Sequence, residues 1–214
     1  MKNQLIELLN NCSIELGKGV FPESIAEQLN LYLKEWKKWN SKINLTAECD
    51  ELSLINKHIF ESLQYSRAIL PVGSLIDVGS GAGFPGIPIK LVRPKLRVIL
   101  IESQRKRANF LKTVINSIGL SDIECIHGRL EGSSQFLGNY DYVTLRHILE
   151  PNLSLQLGSN LVKPDGSLIL QTSCDNSFEP EFLNSLCLAL ADEIVFKRSD
   201  GSYSKIMVFK QKTS

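Results

Sequence analysis

Residues 75–86, with the sequence LIDVGSGAGFPG, carry more chemical information than any other segment of the chain. An apolar run leads into four glycines, and an amphipathic stretch follows. Glycines let the backbone turn tightly and allow a ligand to approach the main chain closely. In an open parallel sheet, ligands bind in the crevice at the carboxyl ends of the strands. The segment therefore predicts a ligand-binding loop between a buried strand and a helix, with a purely structural turn as the alternative.

The glycine spacing is compatible with two kinds of nucleotide ligand. From Gly81 the pattern is GxGxxG, as in dinucleotide-binding loops. However, the first glycine after the strand is Gly79, and Pro85 removes an N–H group that a pyrophosphate needs. From Asp77 the pattern is DxGxGxG, which is typical of loops that bind S-adenosylmethionine, where an acid favours the positively charged amino-acid end of the ligand. The loop favours S-adenosylmethionine and leaves a dinucleotide open.

Glu102 is a second candidate for contact with the same ligand. It follows the apolar run 98–101 and lies 21 residues after Gly81. An acid at about 20 residues from such a loop accepts hydrogen bonds from the ribose hydroxyls of an adenosine. NAD and S-adenosylmethionine share this ribose, so Glu102 supports an adenosine ligand without choosing between them. An exposed glutamate at a strand end is the alternative.

Short apolar runs alternate with amphipathic stretches from Ser74 onward, which predicts an α/β fold with a mostly parallel sheet covered on both faces. The predicted strands are 75–78, 98–101, 123–126, 140–145, 167–170, 193–197 and 204–209, and the predicted helices are 86–92, 104–118, 151–161 and 180–190. Six residues separate the last two strands, which is too few for a helical crossover. We therefore expect the seven-stranded sheet to end in an antiparallel hairpin.

The first 70 residues predict helices only. Apolar residues recur at three- and four-residue steps from Ile25 to Ile43, and this stripe includes Trp36 and Trp39, which we expect in the core. Further helices are predicted over 2–12 and 52–68. We expect a helical extension at 1–70 and a ligand-binding domain at 71–214 that form one compact unit.

Composition excludes collagen-like, disordered and disulfide-scaffold proteins. Apolar residues make up 43% and charged residues 22% of the chain, which is ordinary for a globular protein. No apolar run approaches the ~18 residues of a membrane span, and the first residues lack the order of a signal peptide. The five cysteines are scattered and never spaced as CxxC, which predicts reduced thiols and no metal site. We expect a cytoplasmic monomer without membrane association.

The net charge is only +1, but positive charge is concentrated in one part of the chain. Residues 71–112 carry eight basic and two acidic side chains, a net of +6. Such a segment predicts a positive face for a polyanion, with solvated ends of helices and strands as the alternative.

From about Leu31 to Lys210, the chain resembles the glucose-inhibited division protein B family, the rRNA small subunit methyltransferases G of bacteria. The combination of GxGxGFPGIP with an upstream WN and NLT is specific to that family. The markers are KWN at 38–40, NLT at 44–46, HI at 58–59, ES at 61–62, DVGSGAGFPGIP at 77–88, ES at 102–103, KR at 106–107, FL at 110–111, RxE at 129–131 and YDxVxxR at 140–146.

This resemblance implies a class I, Rossmann-like methyltransferase. The implied reaction transfers a methyl group from S-adenosylmethionine to N7 of one guanine in 16S rRNA of the small ribosomal subunit or its precursor. Together with the loop register, it gives candidate cofactor contacts at Asp77, Gly79, Gly81, Phe84, Glu102, Leu130, Glu131 and Arg146. His147 stands where the family has a small residue, and this departure concerns the acceptor pocket.

The residues after the fourth predicted strand, TLRHIL at 144–149, agree with N7 chemistry. They lack the Asn/Asp-Pro-Pro-aromatic motif of enzymes that methylate exocyclic amines, and no cysteine there offers a nucleophile for C5 methylation. Guanine N7 has a free lone pair and needs no general base, so positioning is sufficient. The resemblance implies that Arg146 lies beside the methyl-transfer site. Arg146 is therefore the candidate catalytic residue, and we expect it to bind guanine O6 or a phosphate. A surface arginine is the alternative.

Candidate RNA contacts are Lys38, Arg105, Lys106 and Arg107, which belong to the basic segments. Two other functions stay open at this point. One is a dinucleotide-dependent oxidoreductase, which Pro85 and the Asp77 register oppose. The other is a non-catalytic rRNA-binding assembly factor on the same fold, which the intact glycines and Glu102 oppose.

Overall fold

Seven strands form one sheet in a computed structural model that describes residues 2–16, 19, 21–130, 136–146 and 149–212. The sheet order is β3-β2-β1-β4-β5-β7-β6. Strands β1 to β5 run parallel, and β7 is antiparallel to both β5 and β6. The mostly parallel sheet with an antiparallel end is therefore confirmed. The strands are β1 (Gly73–Val78), β2 (Leu96–Glu102), β3 (Ile123–His127), β4 (Tyr140–Leu145), β5 (Val162–Thr172), β6 (Leu188–Lys197) and β7 (Tyr203–Gln211).

The central strands are buried on both faces because helices cover both sides of the sheet. Leu75 and Ile76 are adjacent in β1 and point to opposite faces, yet both are fully buried. The covering helices in this part of the chain are α5 (Gly86–Val92), α6 (Arg105–Ser117), α7 (Pro151–Ser159) and α8 (Pro180–Ser185).

Among the described residues of the first 70, helices joined by loops share a hydrophobic core with one face of the sheet. Trp36 is buried in this core, and Trp39 packs edge-on against Phe110 of α6 with ring centroids 6.0 Å apart. The predicted packing role of both tryptophans is confirmed. The helices are α1 (Lys2–Leu16), α2 (Glu23–Ile43), α3 (Glu51–Leu54), a π-helical segment (Ile55–Ile59), α4 (Phe60–Tyr65) and a 3-10 turn (Ser66–Ala68).

Two predicted boundaries near the end of the sheet are wrong. We expected a helix to Leu190, but α8 ends at Ser185 and β6 already begins at Leu188. Cys187 has a φ of 54°, a left-handed conformation that ends the helix and turns the chain into the strand. The π-helical segment was also not predicted. None of the helices in the described ranges combines the length and apolarity that crossing a bilayer requires.

Candidate active site

The glycine loop forms a tight turn between β1 and α5. Gly79, Gly81 and Gly83 have φ values of 68°, 57° and 93°, which disfavour residues with a Cβ. The N–H groups of Gly79 and Ser80 donate to the Ile101 carbonyl at 2.9 and 3.0 Å. These two bonds anchor the loop to the end of β2 and give it a defined shape.

The Asp77 carboxyl is held by hydrogen bonds within the fold. Its side chain is fully buried, with Oδ1 accepting from Thr144 Oγ1 at 2.9 Å and Oδ2 accepting from the Gly86 N–H at 3.1 Å. Burial raises the pKa of this carboxyl to about 6, and the hydrogen bonds from Thr144, Ser80 and Gly86 oppose the rise. The carboxyl therefore ties β4 and the start of α5 to the loop.

Glu102, at the end of β2, connects the loop to the start of α6. Its Oε2 accepts from the Gly81 N–H at 2.9 Å, and its Oε1 accepts from the Gln104 N–H at 2.7 Å. Each carboxylate oxygen can accept a further hydrogen bond. Glu102 thus shapes the loop and still has lone pairs for ribose hydroxyls.

A cavity of about 470 Å³ opens beside Gly79 and Glu102. Its walls combine the acceptor carboxylate with apolar side chains from β2, from the segment after β3 and from α7, a surface suited to an adenine ring. The Arg107 Nε is buried in this region without a hydrogen-bond partner among the described residues. The lining residues are Val78, Gly79, Ile101, Glu102, Ser103, Gln104, Arg107, Gly128, Arg129, Leu130, Leu149 and Leu157.

Only some of the predicted cofactor contacts meet at this cavity. Gly79, Glu102 and Leu130 line it, whereas the described lining does not include Asp77, Gly81, Phe84 or Arg146. Glu131 lies outside the described residues, as does His147. Arg107, which we assigned to an RNA-binding face, lies instead at the cavity wall.

Phe84 links the glycine loop to the helical extension. Its ring stacks on His58 with centroids 5.1 Å apart and an interplanar angle of 17°, and it meets the Tyr32 ring edge-on at 5.7 Å. The Tyr32 hydroxyl donates to the Ala82 carbonyl at 2.7 Å. Phe84 therefore packs the glycine loop against the helical extension.

Arg146 lies in a buried polar network at the end of β4. Its Nη2 donates to Glu61 Oε2 at 2.7 Å, its Nε donates to Gln171 Oε1 at 3.0 Å, and its Nη1 is 3.0 Å from His58 Nδ1. These contacts use one N–H of each guanidinium nitrogen, so a second N–H on each terminal nitrogen is left for a ligand. Burial favours the protonated form of Glu61, but hydrogen bonds from Gln171 and Arg146 outweigh it and lower the Glu61 pKa.

This network borders a second cavity of about 220 Å³, lined by the π-helical segment, α4, the end of β4 and the turn between β6 and β7. Both cations and carboxylates line it, and no aliphatic side chain among the described residues does, whereas the first cavity also has aliphatic walls. The lining residues are Lys57, His58, Glu61, Arg146, Arg198, Ser199 and Asp200.

The predicted basic face is smaller than residues 71–112 indicated. Lys90 is 2% exposed and donates to the Pro94 and Leu96 carbonyls, and Arg93 is 4% exposed and donates to the Ile69 and Ser66 carbonyls. Both cations therefore support the fold. Arg105 and Lys106 are exposed in the first turn of α6, and Lys38 is exposed on α2, with its Nζ 3.7 Å from Glu35 Oε2.

Three residues of the polar network were missed as site residues from spacing alone: Glu61, Gln171 and, in its contact with Arg146, His58. His58 and Glu61 are part of the HI and ES markers, and His58 follows Lys57 in a short basic stretch. These markers indicated that His58 and Glu61 have a specific role, but they did not reveal that both residues contact Arg146.

Comparisons with known proteins show the family to which the chain belongs. Residues 25–191 match GidB, the family described as rRNA small subunit methyltransferase G. A relative of that name from Thermoanaerobacter sp. (strain X514) is 38% identical over 177 residues, 79% of this chain and 72% of the relative. Another from Alkaliphilus metalliredigens is 33% identical and covers 99% of this chain and 92% of its own.

Solved structures with low sequence identity share the fold. M. jannaschii TYW2 in complex with AdoMet has a TM-score of 0.58 at 16% identity, covering 72% of this chain and 76% of that chain. A SAM dependent methyltransferase from Aquifex aeolicus has a TM-score of 0.55 at 19% identity, covering 76% and 94%. Because the family match spans most of the chain and relatives of the same name are more than 30% identical over most of their length, the protein belongs to the rRNA small subunit methyltransferase G family.

Proposed function

We infer that the protein is an S-adenosylmethionine-dependent methyltransferase that modifies 16S rRNA of the small ribosomal subunit, and we propose N7 of a guanine as the acceptor. Family membership supports the methyl donor and the rRNA substrate. The observation that carries the proposal is the cavity in which the Gly79 backbone, the Glu102 carboxylate and apolar walls meet. A cytoplasmic location follows from this substrate.

In this proposal the first cavity binds the cofactor and the second cavity binds the acceptor. Glu102 would accept the ribose hydroxyls, the apolar wall with Leu130 would hold the adenine, and the Arg107 N–H would reach a ligand acceptor. Arg146 lies at the end of β4, where the reacting groups would meet if the acceptor enters from the second cavity. We propose that this second cavity admits the guanine.

The proposed methyl transfer does not require the protein to move a proton to or from guanine N7. When bound, S-adenosylmethionine supplies an electrophilic methyl group on a sulfonium. Guanine N7 carries a lone pair and no proton, so the chain's residues need only hold the base in line and exclude water. The remaining N–H groups of Arg146 suit guanine O6 or a phosphate, and Glu61 offsets the positive charge of the guanidinium.

Methyl transfer to unmodified small ribosomal subunits tests the proposal. With labelled S-adenosylmethionine, we expect label in 7-methylguanosine after digestion and mass spectrometry. Glu102→Ala should reduce incorporation and weaken S-adenosylhomocysteine binding by about 10²-fold, because two charge-assisted hydrogen bonds are lost. Glu124→Ala, an exposed glutamate of β3 outside the cavity lining, is the matched control.

The outcomes separate the alternatives. Label in another nucleoside would overturn the N7 proposal, and no label despite bound S-adenosylhomocysteine would favour a non-catalytic assembly factor. Binding of NAD in preference to S-adenosylhomocysteine would favour the oxidoreductase.

We also propose that Arg105, Lys106 and Lys38 contact rRNA phosphates. Trp39 packs against Phe110 of α6, so the turn of α2 that carries Lys38 lies beside α6. Basic residues in the first turn of a helix oppose the helix dipole, so packing and helix stability do not explain Arg105 and Lys106.

Replacing Arg105 and Lys106 together with glutamate should weaken binding of small-subunit rRNA about ten-fold or more at low salt, because phosphate contacts are lost. Filter binding over a salt series measures this, and the salt dependence should become shallower. S-adenosylhomocysteine affinity is the internal control. Unchanged rRNA binding would remove these two residues from the interface.

A further inference from the structure

His58 connects the helical extension to both halves of the site. Its Nε2 is 2.6 Å from Glu48 Oε2, its Nδ1 is 3.0 Å from Arg146 Nη1, and its ring stacks on Phe84 of the glycine loop. Glu48 belongs to the segment after α2, which Asn40 orders by accepting from the Thr46 N–H and donating to the Glu48 carbonyl. The ring is thus held on three sides.

These contacts determine which nitrogen of His58 carries the proton. A guanidinium has only donors, so the Nδ1 facing Arg146 must present a lone pair. The proton then lies on Nε2 and is donated to the Glu48 carboxylate. Burial and the charge of Arg146 lower the pKa of His58, although Glu48 and Glu61 oppose this, and the imidazole is neutral.

We propose that neutral His58 is a positioning residue, whose Nδ1 orients the Arg146 guanidinium toward the acceptor base while its ring holds the glycine loop. This role rests on the proposed function, since it assumes that Arg146 meets the guanine. Arg146 has Glu61 and Gln171 on its other nitrogens, so the His58 contact fixes the third side of a planar group. With all three sides fixed, the remaining N–H groups point in set directions.

Protonation of His58 would turn its attractive contact with Arg146 into a repulsive one. A cationic ring would direct an N–H against the guanidinium, and two positive charges would meet across 3.0 Å. The charged groups around the ring come from several elements of the structure: Lys57 beside it, Glu48 before α3, Glu61 of α4, Arg146 after β4, and Arg198 and Asp200 of the turn between β6 and β7. Methyl transfer should therefore decline at acid pH as this histidine titrates.

Two substitutions distinguish the hydrogen bond that His58 accepts from Arg146 from the packing of its ring on Phe84. His58→Phe keeps an aromatic ring against Phe84 but removes the acceptor, and His58→Asn loses the ring but places a carbonyl oxygen near the position of Nδ1. With S-adenosylmethionine saturating, so that loss of the ring's contact with the glycine loop does not limit the rate, we expect kcat/KM for rRNA to fall about ten-fold or more in His58→Phe and to be largely restored in His58→Asn. S-adenosylhomocysteine affinity should change by less than about two-fold in His58→Phe, which retains the stacked ring.

The pH profile gives a second readout, which a merely structural role would not move. Wild-type kcat/KM should fall with an apparent pKa below the ordinary histidine value of about 6.5, and His58→Asn should lose that acid limb. His127→Asn is the matched control, since His127 is exposed and contacts the Ser103 carbonyl at 3.1 Å. An acid limb that survives in His58→Asn, or that disappears in His147→Asn instead, would overturn the proposal.

Nitrogen-15 NMR of the imidazoles tests the same geometry without any enzymatic assay. With three histidines in the chain, the His58→Asn spectrum identifies the His58 signals by their loss. We expect a lone-pair shift at Nδ1 and an N–H shift at Nε2. A protonated Nδ1 at neutral pH, or equal activities of His58→Phe and wild type, would refute the positioning role. Failure of wild type to methylate any rRNA, with the expected tautomer present, would instead refute the proposed function.

Discussion

Glu61→Ala is expected to lower the free energy of unfolding by about 3–5 kcal/mol, because it leaves a buried arginine without its counter-charge. Glu61 is 5% exposed and Arg146 is 8% exposed. Glu61 also accepts from Gln171 Nε2 at 2.8 Å and lies 3.1 Å from Arg198 Nε, so the substitution affects three partners at once. Urea denaturation followed by circular dichroism measures the loss.

Two comparisons make this test specific. Glu23→Ala breaks an exposed ion pair with Lys2 and should leave stability unchanged, since such pairs contribute little. Because the pKa of Glu61 is lowered by folding, its contribution is present above the ordinary carboxyl pKa of about 4.3 and is lost as pH falls through the folded value. Equal stabilities of Glu61→Ala and wild type at pH 7 would contradict the network's role. We also expect one transition, because residues 1–70 and 71–214 share a core.

Gly83→Ala is expected to destabilise the protein by about 2–4 kcal/mol, because the position combines backbone strain with a close contact. Gly83 has a φ of +93°, and an added Cβ would lie 2.5 Å from Ile87 Cδ1 and 3.1 Å from Leu111 Cδ2. Both neighbours are fully buried and have little room to move. The loop would then shift, so S-adenosylhomocysteine affinity should fall as well.

Gly119→Ala is the matched control for this substitution. Gly119 has a φ of +66°, but an added Cβ there would meet nothing within 4 Å. In Gly119→Ala, the free energy of unfolding should fall by about 1–2 kcal/mol, because only the left-handed backbone conformation is unfavourable for alanine. The affinity for S-adenosylhomocysteine should not change. Thermal unfolding and calorimetric titration of both variants measure the difference. If the two alanine variants were equally stable, packing around Gly83 would not matter.

The sheet could be predicted from sequence because its strands are apolar runs with helices or turns between them. The glycine loop and Glu102 were also placed correctly at the strand ends, since parallel strands bring their carboxyl ends to one edge. Lys90 was assigned wrongly to a charged surface. Lysines are almost never fully buried, and nothing in its spacing reveals the two carbonyls that hold it.

The polar network around Arg146 could not be predicted from spacing. Glu61 lies 85 residues from Arg146 and 110 residues from Gln171 in the chain, and only the tertiary fold brings the three together. The hydrogen bonds of Asp77 could not be predicted from spacing for a similar reason. Its carboxyl accepts from Thr144 on the neighbouring strand and from the start of α5, and both partners are placed by the tertiary fold.

The position of β7 has a consequence for how the protein is made. This strand follows all the others in the chain, yet it lies between β5 and β6 in the sheet. During translation, β6 therefore leaves the ribosome with no neighbour, and β5 leaves with one open edge. Open strand edges pair readily with other chains. The nascent protein should therefore be most prone to aggregate while β5 and β6 still lack the nine residues of β7.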